Sequence, residues 1–201
     1  CAFLKLAEPV INNCSEPLKV DSIMQLINAL APGNYAAKAS IDIALHDLYG
    51  KLEGKPLWQL WDIHPDATPC TSYTIGYDAS DSVVLLKVRE AEWAKILKVK
   101  LGREEAEDKR MINLIRSISD KPIYVDANQG WLTQEHALKM CQWLETQGVV
   151  LIEQPMPKHM NEEHRWLCEQ VSLPIIADEA CQTYADVARL QPYYDGINIK
   201  L

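Results

Sequence analysis

The sequence predicts an α/β protein whose larger part is a parallel sheet covered by helices. Three observations carry this expectation. From about residue 70, short apolar runs alternate with amphipathic helical stretches, one βα unit after another. The runs are almost wholly apolar, as expected of strands buried on both faces. Five of them close on a charged residue: Lys100, Asp126, Glu153, Asp178 and Lys200, spaced 26, 27, 25 and 22 residues apart. In parallel α/β architectures the functional edge lies at the C-terminal ends of the strands, so this rhythm delivers five charges to one rim.

The elements follow in order. Residues 1–20 have little periodicity and are interrupted by Pro9 and Pro17. Asp21 caps a helix over about 22–31, with Ile23, Met24, Ile27 and Leu30 on one face, and Pro32-Gly33 stops it. Asn34 caps a second helix over about 35–52, and Pro56–Trp61 adds a turn. The first strand is Thr71–Ile75, with a helix from Ser80 or Asp81 to about 93. Strand 96–100 precedes a helix over about 104–119, whose acidic first turn suits the helix dipole. Strand 122–126 leads to a helix over about 133–147, and strand 149–153 stops at Pro155. A helix over about 161–170, strand 173–178, a short helix over about 183–191 and strand 196–200 complete the pattern. Residues 1–68 thus form a helical region, and residues 69–201 form six βα units. A full (β/α)8 barrel takes about 250 residues, so the six units fit either a barrel cut short or an open doubly wound sheet. Five charges on one rim favour the partial barrel.

Composition narrows the function classes. The 201 residues carry a net charge of −8 with scattered basic residues, which argues against nucleic acid and anionic membrane partners. No apolar run approaches the roughly 18 residues of a membrane span. The six cysteines form no CxxC pair and read as buried or incidental thiols of a reducing, cytoplasmic setting. The chain starts at Cys1 without an initiator Met, and parts of a longer natural chain are expected on either side.

Asp126, Glu153 and Asp178 converge at the rim. Alone they repel, and at least one must stay protonated. A divalent cation relieves this, and oxygen donors without His or Cys favour Mg²⁺, with Mn²⁺ as the alternative. Lys98 and Lys100 lie at i and i+2 on one strand face. Two adjacent ammoniums disfavour each other's charge and a neighbouring metal pushes the same way, so a lowered lysine pKa and a general base are expected here. Lys200 approaches from the far side and shares its face with Asn198. A base on each side of a metal suits removal of a proton α to a carboxylate and its return on the opposite face. Racemisation or epimerisation, β-elimination and cycloisomerisation all fit these parts.

These residues resemble the enolase superfamily, in which a Lys or His base works beside Mg²⁺ on an enediolate. Within it the pattern is similar to the muconate-lactonizing-enzyme subgroup. Lys98-Val-Lys100 matches the subgroup's second-strand motif, and Asp126, Glu153 and Asp178 match its ligands on strands three to five. Lys200 in Asp195-Gly-Ile-Asn-Ile-Lys200 matches the sixth-strand lysine. Thr71-Ser-Tyr-Thr-Ile-Gly76 most resembles the dipeptide epimerases, especially those acting on L-Ala-D/L-Glu. The resemblance implies a partial (β/α)-barrel of enolase-superfamily type over residues 69–201, preceded by the C-terminal helices of an incomplete capping domain and a linker over 1–68. It further implies Lys100 and Lys200 as paired acid/base catalysts, with Lys98 tuning Lys100 or touching the substrate carboxylate. Asn128, Glu179 and Gln154 would support the metal ligands. The partner is a small dipeptide of cell-wall metabolism, and a homo-oligomer is allowed for, since oligomers are common in the superfamily.

The pattern lacks strands seven and eight and most of the capping domain, so the chain alone is expected to be poorly stable or inactive. Competing activities are those of o-succinylbenzoate synthase, N-succinylamino acid racemase and muconate cycloisomerase. A non-catalytic homologue is the competitor from another class, opposed by the intact set of three carboxylates and two lysines.

Overall fold

The protein is described from a computed structural model covering residues 2–14 and 19–199. Contacts divide it into two compact units that meet in sequence between Pro69 and Cys70.

The first unit is helical: α1 (Ala2–Asn12), α2 (Val20–Leu30), α3 (Tyr35–Glu53) and the short α4 (Leu57–Leu60). Its core joins Phe3, Ala7, Val20, Ile23, Ile27, Ile41 and Leu45. Helix α1 corrects the expectation of an irregular N-terminus. Phe3, Ala7 and Val10 recur at helical spacing on the inward face, while Pro9 lies on the exposed one. A proline costs about 3 kcal/mol inside a helix. Burying Phe3 alone offsets about 2 of it, and water can take the carbonyl that Pro9 leaves unpaired. Two expected caps also differ. The helix begins one residue before Asp21, which sits in its first turn, and Asn34 adopts a left-handed φ of 56° without a side-chain capping bond.

The second unit alternates β1 (Ser72–Ile75), α5 (Asp81–Glu90), β2 (Ile96–Lys100), α6 (Glu105–Arg116), β3 (Ile123–Asp126), α7 (Gln134–Thr146), β4 (Val149–Glu153), α8 (Asn161–Gln170), β5 (Ile175–Ala177), α9 (Tyr184–Leu190) and β6 (Gly196–Ile197). All pairings are parallel and the strand order is β1-β2-β3-β4-β5-β6. That order decides between the two sequence readings. A doubly wound sheet reverses its strand order at a switch point, whereas here each strand lies beside its successor, as in a sector of a (β/α) barrel.

Leu97, Val99, Ile123, Val125, Ile152, Ile175 and Ala177 lie fully buried in the core of this unit. The interleaved residues Ile96, Lys98, Tyr124, Leu151 and Ile176 are only partly covered. Burial therefore alternates along β2 and β5, where the apolar runs had implied two equally buried faces. The partly covered face is the one that bears the charged rim.

Candidate active site

The register of the sheet assembles the rim. Lys100 pairs with Asp126, and Asp126 with Glu153, so the three stand side by side on adjacent strands. Lys98 lies two residues back on the same face of β2. Asp178 follows the end of β5, where Gln154 binds its backbone: the Gln154 Oε1 accepts from the amides of Asp178 (3.0 Å) and Ala180 (3.1 Å).

Both β2 lysines reach the carboxylates. Lys98 Nζ lies 2.5 Å from Glu153 Oε2 and 3.1 Å from Asp126 Oδ2. Lys100 Nζ donates to the same Asp126 Oδ2 at 2.6 Å and to Asn128 Oδ1 at 3.0 Å. The acids themselves are buried, with Asp126, Glu153 and Asp178 only 0%, 6% and 3% exposed.

These contacts set the direction in which the protein's own groups shift one another. Burial raises the Asp126 carboxyl, but the Lys100 and Lys98 ammoniums outweigh it and hold it below its ordinary range. Burial raises Glu153, and with the like charge of Asp126 it prevails over Lys98, so Glu153 is pushed up. Among the protein's own groups, Lys98 departs from the expectation of a lowered lysine. Burial lowers it, yet Glu153 and Asp126 together raise it above its ordinary value. The expectation counted the neighbouring ammonium and a metal, and two carboxylates in direct contact pull the other way.

The three acids each offer an oxygen within 4.8 Å of the others. Two oxygens on opposite sides of a Mg²⁺ stand about 4.2 Å apart, from metal–oxygen bonds of about 2.1 Å. The cluster is of a size that one hard cation can draw together, and its donors are all oxygen. Glu179 follows Asp178 directly in the chain. One of its oxygens accepts from Asn128 Nδ2 at 3.2 Å, while the buried Oε2 has no hydrogen-bond partner in the described protein.

The remaining sequence-predicted residues lie around this cluster. Asn128 occupies a left-handed turn, φ 45°, and its backbone amide donates to Asp126 Oδ1 at 3.0 Å. It therefore links Lys100, Asp126 and Glu179. Gln154 is wholly buried at a φ of 39°, and its Nε2 donates to Tyr194 Oη (3.0 Å) and the Met156 carbonyl (3.1 Å). Lys200 lies outside the described residues. Asn198 was noted in the sequence only for the face it shares with Lys200. Its Nδ2 donates to Glu153 Oε1 at 2.9 Å and approaches Asp178 Oδ1 at 3.5 Å. An amide at i−2 from a charged strand end was the available signal.

Residues 83–200 match the family of enolase C-terminal domain-like proteins, and residues 5–61 match the mandelate racemase/muconate lactonizing enzyme N-terminal domain. The chain is 49% identical over 200 residues to the L-Ala-D/L-Glu epimerase of Bacteroides thetaiotaomicron, covering 99% of this chain and 51% of that protein. It is 38% identical over 186 residues to an L-Ala-D/L-amino acid epimerase of Pedosphaera parvula, covering 90% of this chain and 53% of that one. The solved dipeptide epimerase of Enterococcus faecalis complexed with Mg and L-Leu-L-Tyr superposes with a TM-score of 0.85 at 31% identity. That match covers 98% of this chain and 57% of the other. The chain spans about half the length of the curated relatives it matches.

Proposed function

Since the chain belongs to the mandelate racemase/muconate lactonizing enzyme family, with its enolase-like C-terminal domain, we propose that it serves the Mg²⁺-dependent epimerisation of dipeptides, L-Ala-D/L-Glu foremost. The observation that carries this is the row of two lysines against three buried carboxylates at one strand-end rim. The 49% identity to an epimerase of that specificity supports the choice of substrate. In this reading residues 1–68 belong to the capping domain and 69–201 to the barrel.

Asp126, Glu153 and Asp178 would hold the cation, which supplies positive charge against the substrate carboxylate as its α-proton leaves. The two β2 lysines divide the remaining work. Lys98 has a side chain 18% exposed and is held charged by Glu153 and Asp126, so it suits fixing a carboxylate. Lys100, with a side chain 38% exposed at the lip of the rim, suits proton transfer at the α-carbon. Lys200 would serve the opposite face. Its support is sequence position: it follows Asn198 by two residues, and the Asn198 amide reaches Glu153 and Asp178. The five described cysteines are all free thiols, in keeping with a cytoplasmic protein.

The test is direct. The intact protein with Mg²⁺ should convert L-Ala-L-Glu to L-Ala-D-Glu, followed by proton NMR. No conversion of any acidic dipeptide would overturn the assignment.

A further inference from the structure

Helix α6 carries three acids in its first turn, Glu105, Glu107 and Asp108. Two behave as surface residues. Glu105 pairs with Lys109 and Lys139, and Glu107 with Arg110 and the Tyr77 hydroxyl. Asp108 differs, being only 1% exposed and on the same face as the buried Met111, Ile112 and Ile115. No lysine or arginine side chain is paired with it among the described salt bridges. Its partners are three N–H groups from two different loops. Asp108 Oδ2 accepts from the Gly102 amide (3.0 Å) and from Trp131 Nε1 (3.1 Å), and Oδ1 accepts from the Arg103 amide (3.1 Å).

Those loops leave the strands that carry the site. Gly102 and Arg103 follow Lys100 at the end of β2, and Trp131 closes the turn that begins after Asp126 on β3. Leu101 donates to the Asp126 carbonyl at 2.9 Å, and beyond it the backbones cross in contact. A Cβ on Gly102 (φ 85°) would sit 1.8 Å from the Ala127 carbonyl oxygen, and one on Gly130 would sit 2.0 Å from that of Gly102. Such an approach leaves no room for side chains between the loops, and the buried Asp108 carboxylate bonds to both of them.

We infer that Asp108 is a positioning residue, locking the β2–α6 loop to the β3–α7 loop and thereby fixing Lys100 against Asp126 and Asn128. A buried carboxylate bound by three donors holds its partners firmly, because leaving any one unmatched carries a desolvation cost. Proton transfer is sensitive to ångström-scale displacement, and the lock sits within two residues of the proposed base. For its catalytic consequence the inference rests on the epimerase reading; for its structural consequence it does not.

The experiment compares Asp108→Asn, Trp131→Phe and Glu105→Gln in the intact protein. An asparagine must turn its NH₂ toward one of the three donors. Its kcat on L-Ala-L-Glu should fall about 10- to 100-fold with KM changed less than about 3-fold. Its Mg²⁺ affinity by calorimetry should fall about 10-fold, and the Gly102 and Arg103 amides should exchange hydrogen faster. Trp131→Phe, which removes one donor, should shift all readouts the same way by less. Glu105→Gln should lower thermal stability slightly and leave kcat and Mg²⁺ affinity as they were. A folded Asp108→Asn protein with wild-type kcat and Mg²⁺ affinity would overturn the inference. If that variant does not fold, a Trp131→Phe protein indistinguishable from wild type would do so. Should the wild type act on no dipeptide, the epimerase reading fails, and unchanged Mg²⁺ affinity and amide exchange in Asp108→Asn would still sink the lock.

Discussion

Lys98 and Lys100 are chemically identical and two residues apart, yet their surroundings differ. Lys98 lies between two buried carboxylates that hold it charged; Lys100 shares one of them and faces the lip. Gln154 shows the same dependence on contacts. Its amide satisfies the backbone of Asp178 and Ala180 on one side and Tyr194 on the other. Gln154→Leu strands these buried groups, at about 1–3 kcal/mol each. A urea melt should therefore show a loss of at least about 3 kcal/mol, with weaker Mg²⁺ binding because Asp178 is no longer anchored. Asp126→Asn should instead weaken Mg²⁺ binding about 10-fold or more with the fold retained, as calorimetry can read. The charged residues of the rim were legible in the sequence because each interrupts an apolar run at its end. Asp108 was not, since three acids in one helical turn look alike until their faces are compared. Its spacing from Met111, Ile112 and Ile115 held the clue.

At the scale of elements, the βα alternation was legible because apolar runs and helical periodicity are local signals. Helix α1 was missed because Pro9 is a local signal too, and a tertiary contact through Phe3 and Ala7 overrides it. Helix α8 offers a test of how an element is held. Its His164 is fully buried; Nδ1 donates to the Met160 carbonyl at 2.6 Å, and Nε2 accepts from the Met156 amide at 3.4 Å. Burial drives the imidazole down to about 4, against the pull of Met160 and Glu163 toward the charged form. The unfolded chain takes up this proton near pH 6.5 and the folded one only near 4, so the neutral ring stabilises the fold above pH 6.5. That contribution is lost as pH falls from 6.5 toward 4, by up to about 3 kcal/mol. Urea melts between pH 7.5 and 4.5 should show the decline, and His164→Gln should flatten it. A wild-type profile with no slope between pH 6.5 and 5 would contradict the assignment.

For the whole molecule, the partial-barrel reading depended on strand order, which local pattern cannot give. The regular spacing of charged ends pointed to it, and the order β1 to β6 decided it. The net charge of −8 reveals nothing of the rim, where two lysines meet three acids within a few ångströms. If those acids hold Mg²⁺, ion at 100 times its Kd adds about 2.7 kcal/mol of stability by mass action. Thermal melts should rise on adding Mg²⁺ and fall back with chelator, and Asp126→Asn should respond much less at the same concentration. The central claim, however, is a proton removed by one lysine and returned by another. Its most direct measurement is α-proton exchange in D₂O, with L-Ala-L-Glu and L-Ala-D-Glu as separate substrates, for wild type, Lys100→Ala and Lys200→Ala. The account predicts that each variant loses epimerisation and loses exchange from a different epimer. Wild-type exchange from both epimers in either variant would contradict it.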